Sequence, residues 1–178
     1  YYFDGGDTIT IPNSAGLAAE RTNMTWSGWF YSTADAAVDY LYAKQPAKGA
    51  SQQWYGRQAR NGKLVFRVAN SAGGVGVTSL MQVEPNTWNF FAFTFNGSTR
   101  VTELFLNNQL DTCTTSGVPV SCVAPGENLT VGHYSTTMWD GRLDRFAIYG
   151  ATLASNACLD VFWNTATNYG WSAYDYSA

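Results

Sequence analysis

An all-β domain is predicted by three features of this sequence. Charged residues make up only 13% of the 178, and Glu and Lys, which sustain exposed helix faces, are scarce. Aromatic residues reach 16%, and Thr, Ser, Asn and Gly are abundant, a balance that opposes helix and favours strands joined by turns. Turn chemistry recurs at Asp4-Gly5-Gly6-Asp7, Asn61-Gly62, Gly73-Gly74, Asn96-Gly97, Asn107-Asn108 and Ser116-Gly117, with β-branched and aromatic runs between, the pattern of a sandwich or barrel.

The strands follow in order. Residues 8–11 come after the first turn, and 24–31 and 39–44 are the next aromatic-rich runs. Residues 54–60 and 63–69 flank Asn61-Gly62, residues 87–96 and 100–107 flank Asn96-Gly97, and 129–134 and 141–149 close the series. Within 87–96 the two-residue period places Phe91, Phe93 and Phe95 on one face, with Phe90, Ala92 and Thr94 opposite. The turn at 96–99 leads into a strand with Leu104 and Leu106 on one face and Val101, Glu103 and Phe105 on the other, so the two segments read as an antiparallel hairpin. One short helix is expected near residues 155–163, where Ser155 can cap a segment with Cys158, Leu159 and Phe162 at helical spacing. Residues 171–178 have no evident period and are read as a last strand or the start of a linker.

Length and charge narrow the function. A chain of this size buries roughly 70% of its unfolded surface as one domain, without needing disulfides or metal to fold. The net charge is -3, and the basic residues Arg57, Arg60, Lys63 and Arg67 are scattered, so nucleic acid is not the expected partner. Apolar stretches such as 90–93 are far shorter than the roughly twenty residues of a membrane span, which excludes membrane insertion by a helix. The sequence opens without Met or a leader-like segment, so it is expected to be a processed chain or one domain, residues 1–178, of a longer polypeptide.

The order of segments resembles the laminin G-like jelly roll of the concanavalin A-like domains, shared with pentraxins and many carbohydrate-binding modules. The opening Phe3-Asp4-Gly5-Gly6-Asp7-Thr8-Ile9-Thr10-Ile11-Pro12 and Met24-Thr25-Trp26-Ser27-Gly28-Trp29-Phe30 are similar to the family's first two strands. The stretch from Trp88 to Gly97 resembles its Trp-to-Ala strand and turn, and Leu104-Phe105-Leu106-Asn107-Asn108 its next strand. Asn-Asn replaces the usual Asp-Gly there, and both dipeptides tolerate positive φ. The most specific match is Gly141-Arg142-Leu143-Asp144-Arg145-Phe146-Ala147-Ile148-Tyr149 followed by Leu153-Ala154-Ser155. The resemblance implies two packed antiparallel sheets in a jelly-roll sandwich, but a fold of this breadth carries lectins, adhesion domains, enzymes and architectural modules alike.

A glycoside hydrolase needs two carboxylates about 5 to 9 Å apart. Enzymes of this fold commonly present them as Glu-x-Asp-x-x-Glu along one strand, and no such run exists here. Glu20, Glu84, Glu103 and Glu127 fall in different segments, and the single His133 excludes sites that need two histidines. The chain is therefore expected not to be an enzyme. Calcium is the ion the resemblance implies, with Asp4, Asp7, Asp140 and Asp144 as candidate ligands, although the same carboxylates can serve turns or pair with Arg142 and Arg145.

Sugar recognition uses flat aromatic faces with polar groups beside them. Trp54, Tyr55, Tyr134 and Trp139 are the candidate ligand-binding aromatics, since each stands near a loop or a strand end, whereas Trp26, Trp29 and Trp88 read as core. Cys113 and Cys122 bracket a hairpin-sized loop that a disulfide could close, which would imply an oxidising compartment, with two reduced cysteines as the alternative, and Cys158 reads as a buried thiol. Asn23, Asn96 and Asn128 head glycosylation-type triplets at about the frequency chance gives in so Asn-, Ser- and Thr-rich a chain.

The leading expectation is a non-enzymatic recognition module on a cell, a virion or a secreted protein, binding a glycan or another surface component. A structural module packed against neighbouring subunits is the first alternative, and a hydrolase with a non-standard carboxylate pair the second.

Overall fold

Alternating burial along the central strands is what organises the molecule, because each strand must satisfy one packed face and one that meets solvent or a covering element. The computed structural model describes residues 1–33, 38–44, 53–124 and 126–166, so the expectation for 171–178 lies outside the described residues. The chain begins with β1 (Tyr2–Asp4), β2 (Ile9–Ile11), a single helical turn α1 (Ala15–Ala18), and the long β3 (Asn23–Ser32). Next come β4 (Asp39–Lys44), β5 (Trp54–Gln58), β6 (Leu64–Asn70) and β7 (Gly73–Thr78), then β8 (Trp88–Asn96), β9 (Val101–Leu106) and β10 (Gln109–Thr114). The closing elements are β11 (Leu129–Val131), β12 (His133–Tyr134), β13 (Thr137–Met138), β14 (Asp140–Tyr149) and α2 (Ser155–Ala166).

Two six-stranded antiparallel sheets form the jelly-roll sandwich, in the orders β1-β14-β3-β8-β9-β10 and β2-β11-β4-β5-β6-β7, with β12 and β13 as a separate ribbon. The predicted hairpin of β8 and β9 is present, with Phe93 opposite Leu104. Between the sheets lie Trp26, Phe91, Phe93, Phe95, Leu104 and Leu106 from the first, and Tyr42, Trp54, Leu64, Phe66 and Val68 from the second. Phe66 stacks on Phe93 at 5.2 Å across the interface.

The opposite face of β8 is buried as well, which its mixed composition did not announce. Phe90 and Ala92 join Trp29 and Phe105 under Cys158 and Phe162 of α2, and Trp29 Nε1 donates to Thr165 Oγ1 at 2.8 Å. The helix thus covers the outer face of the first sheet and leaves that of the second without such a cover among the described residues. Its cap differs from expectation: Cys158 N donates to the Ala154 carbonyl at 3.0 Å, so Ala154 takes the cap position and Ser155 lies in the first turn, its hydroxyl 3.4 Å from Glu103 Oε2.

Other departures have local causes. Gly73-Gly74 starts β7 instead of forming a turn, because the chain reverses at Ser71 and Ala72 and Gly74 then stands opposite Ala69, whose Cβ a side chain at 74 would strike. The run 129–134 is divided at Gly132, whose φ of 80° takes the chain out of the sheet into β12. Asn107 sits at φ 56°, the positive value the Asn-Asn turn allows.

Candidate functional site

The outer face of the second sheet carries a compact group of aromatic and cationic side chains. In β5 and β6 the inward positions are Trp54, Gly56 and Gln58 and Leu64, Phe66 and Val68, so Tyr55, Arg57, Val65 and Arg67 point outward and are half-buried. Antiparallel pairing sets Tyr55 opposite Arg67 and Arg57 opposite Val65. On the other side Arg57 stands opposite Tyr40 of β4.

A β-bulge between Tyr40 and Tyr42 is what brings Tyr40 here. By strict alternation the two tyrosines share one face, but the extra residue turns Tyr42 inward to the core and leaves Tyr40 on the outer surface. The Tyr40 ring meets Tyr55 at 5.4 Å and Tyr134 of β12 at 5.1 Å. Arg57 lies over both the Tyr40 and Tyr55 rings, 5.9 and 5.8 Å from their centroids, within the range of a cation–π contact.

Burial pushes the Tyr55 hydroxyl above its ordinary value, with the Arg57 and Arg67 charges pulling it partly back. Burial also raises Tyr134, assisted by Tyr40 and Glu127. Both phenols therefore remain protonated donors across the neutral range. The Nε atoms of Arg57 and Arg67 are buried and have no hydrogen-bond partner among the described residues.

Of the four aromatic candidates, the fold brings Tyr55 and Tyr134 into this group and removes the two tryptophans from it. Trp54 is 2% exposed and packs against Trp26 and Tyr42 in the core, because it falls on the inward parity of β5. Trp139 is 1% exposed, edge-on to Phe30 at 5.9 Å. Neither presents a face to a ligand.

The four acidic candidates do not form one ligand set. Asp4 and Asp140 stand directly opposite each other on β1 and β14, but Asp4 Oδ1 accepts from Gly6 N at 3.0 Å and Asp7 Oδ2 from Asp4 N at 3.4 Å, the hydrogen bonds of a turn. Asp144 Oδ1 accepts from Arg145 N at 2.8 Å. Among the described residues no three His, Cys, Asp or Glu side chains converge as metal ligands do, so these carboxylates do not fit a calcium site by themselves.

Cys113 and Cys122 are free thiols, and the expected disulfide is absent for a topological reason. Cys113 is exposed on β10 opposite Glu103, whereas Cys122 is buried in the inter-sheet core with its Sγ 3.5 Å from Met24 Sδ. Burial raises Cys122 to about 12 and Cys158 to about 11. The glutamates are dispersed: Glu20 accepts from Ser121, Glu103 from Ser155, and Glu127 lies by Lys44.

Missed from sequence were Tyr40, Arg57 and Arg67. A two-residue period over 54–58 and 64–68 puts Tyr55 with Arg57 and Val65 with Arg67, but pairing register sets Arg67 across from Tyr55, and the bulge brings Tyr40 against Tyr55, Arg57 and Tyr134.

The laminin G model described as the concanavalin A-like lectin/glucanases superfamily matches residues 3–157, and the chain belongs to that superfamily. Among solved structures, a carbohydrate-binding module of a Ruminococcus gnavus sialidase superposes with a TM-score of 0.75 at 16% identity, covering 91% of this chain and 95% of that one. The same module bound to alpha2,3 sialyllactose superposes with a TM-score of 0.73 at 15% identity, with the same coverages of 91% and 95%. Domains LG4-5 of the mouse laminin alpha1 chain match with a TM-score of 0.64 at 14% identity, over 86% of this chain and 43% of that one. No curated protein sequence matches. At these identities the superpositions establish the shared fold, and no described helix is long and apolar enough to cross a membrane.

Proposed function

We propose that this domain is a non-enzymatic recognition module, displayed outside the cell or on a particle surface, that binds glycans through the outer face of its second sheet. The observation that carries the reading is the aromatic cluster centred on Tyr40: its ring lies 5.4 Å from that of Tyr55 and 5.1 Å from that of Tyr134, Arg57 stacks over Tyr40 and Tyr55, and the group is half-buried on a face without a covering helix among the described residues. Such rings stack on the C–H surface of a sugar, and phenol and guanidinium groups donate to its hydroxyls. Among the described residues the four glutamates lie apart, and the Asp4 carboxylate that faces Asp140 is engaged by Gly6 N in a turn, which supports a binding role over hydrolysis. The relatives of like fold include carbohydrate-binding modules, which is consistent with this reading.

The test is a glycan array probed with the folded domain, with and without calcium, beside Tyr40→Ala and Tyr55→Ala variants. Selective binding lost in both variants is expected, and calcium is an arm of the same experiment because the resemblance implies it. A blank array with folded protein would overturn the reading. A structural module packed against neighbouring subunits is the second reading, supported by Leu80 and Leu110, 69% and 47% exposed on segments tied together by Asp111. Concentration-dependent self-association in sedimentation would favour it.

A further inference from the structure

Buried guanidinium donors are ordinarily hydrogen-bonded, and among the described residues the Nε atoms of the two arginines beside Tyr55 are not. Arg57 is held by stacking on Tyr40 and Tyr55, and its Nε is buried without a partner among the described residues. Arg67, directly across from Tyr55, has a buried Nε in the same condition. A guanidinium has only donors, and buried donors are nearly always satisfied in folded proteins, so this face holds unmet demand for acceptors. A guanidinium grips a planar carboxylate with two parallel hydrogen bonds from neighbouring N–H groups, and the two terminal nitrogens supply such a pair without the buried Nε.

The surroundings leave room for such a group. Gly76 stands opposite Arg67 on β7, exposed and without a side chain, and among the described residues a Cβ there would meet nothing closer than the Phe66 carbonyl at 3.9 Å. Among the described residues the floor beside Arg67 is thus open, with Tyr55 directly across from it. The chain as a whole carries a net charge of -3, so the face offers a local cationic point and no broad basic field of the kind a polyanion requires.

We infer that the ligand is an acidic saccharide, a glycan with a carboxylate-bearing sugar, whose carboxylate is taken by Arg57 and Arg67 while its ring lies on the tyrosine cluster. This rests on the glycan-binding reading above and adds the chemical class of the ligand. Two kinds of sugar present that chemistry, hexuronic acids and sialic acids.

The experiment is calorimetric titration of the whole domain with glucuronic acid-terminated and sialic acid-terminated oligosaccharides, the carboxyl-reduced form of each, and their neutral parents. At least one acidic probe is expected to bind about tenfold or more tightly than its carboxyl-reduced form, the equivalent of one charge-assisted hydrogen bond. Which acidic probe does so distinguishes the two sources. Arg67→Gln and Arg57→Gln are expected to abolish that preference, and Arg67→Lys, which keeps the charge without the fork, to restore part of it. Melting curves identify any variant that fails to fold, in which case the wild-type comparison of acidic and reduced probes decides alone. Equal binding of acidic and reduced forms would overturn this inference and leave glycan binding standing. Absence of binding to every probe, acidic and neutral, by folded protein would overturn both.

Discussion

Tyr42 and Gly56 stand opposite each other on β4 and β5, and the tyrosine ring fills the space a side chain at 56 would need. A Cβ on Gly56 would lie 2.7 Å from Tyr42 Cε1 and 2.5 Å from Phe66 Cε1. Both rings are buried between the sheets and have no room to retreat. Gly56→Ala is therefore expected to destabilise the domain by about 1–3 kcal/mol through overpacking. Urea unfolding with an unchanged m-value and a lower midpoint is the readout; wild-type stability would show that the rings can shift.

Trp54→Ala and Trp139→Ala should act on folding, since both side chains are buried in the core. Each is expected to cost about 3–5 kcal/mol, a large fraction of a domain's total stability. Tyr40→Ala, on the half-buried outer face, should weaken ligand binding with a far smaller drop in Tm. Thermal melts of the three variants, measured beside binding, separate the two effects.

Asp111 ties the free edges of the two sheets together. Its carboxylate on β10 accepts from Leu80 N at 2.7 Å and Met81 N at 2.8 Å, just past the end of β7. Removing it in Asp111→Ala leaves two partly buried donors unsatisfied and is expected to cost about 2–3 kcal/mol, with Asp111→Asn recovering part. Chemical denaturation checks the order; an Ala variant as stable as wild type would mean water replaces the carboxylate without loss.

Alkaline pH should destabilise the fold. Cys122 is raised from 9.0 to about 12 and Cys158 from 9.0 to about 11, each chiefly by burial. Below pH 9 both thiols are protonated folded or unfolded; above it the unfolded chain ionises first, so stability falls until the folded values are passed. Each group contributes a slope of up to about 1.4 kcal/mol per pH unit in that window. Lys44, lowered from its ordinary value by burial, releases its proton first in the folded state and opposes the trend as pH approaches 10.5. Tm measured from pH 8 to 11 should fall, and fall less steeply in Cys122→Ala; parallel curves would contradict the assignment.

Chelation is expected to leave Tm unchanged, because Asp4, Asp7, Asp140 and Asp144 do not converge as a ligand set. A drop of several degrees on EDTA, restored by calcium, would instead indicate an ion drawing on backbone carbonyls beside the Asp4–Asp140 pair.

Much of the fold was legible because β-structure writes its faces into the sequence. Phe91, Phe93 and Phe95 alternate with Phe90 and Ala92, and the Asn96-Gly97 turn sets the next strand against them, so the hairpin follows from local pattern alone. β10 was not legible in that way: Gln109–Thr114 has no strong alternation and is a strand because β9 offers it an edge. The site was legible only in part. Tyr55 and Tyr134 carry a visible signal as aromatics near strand ends, but Trp54 and Trp139 carry the same signal and are core, since parity and not proximity to a loop decides burial.

The amino-acid sequence by itself determined the β-class, the alternating core, the short late helix and, through its motifs, the laminin G-like topology, because each is set by neighbours within a few residues or by an order of segments that resembles the family's. Only the tertiary structure decided which faces became surfaces. Helix α2 covered the outer side of one sheet, a single bulge at Tyr40 reversed the parity of β4, and the register of β4, β5 and β6 gathered Tyr40, Tyr55, Arg57 and Arg67. Register and bulges depend on strands far apart in the chain, and a shift of one residue exchanges the buried and exposed sets.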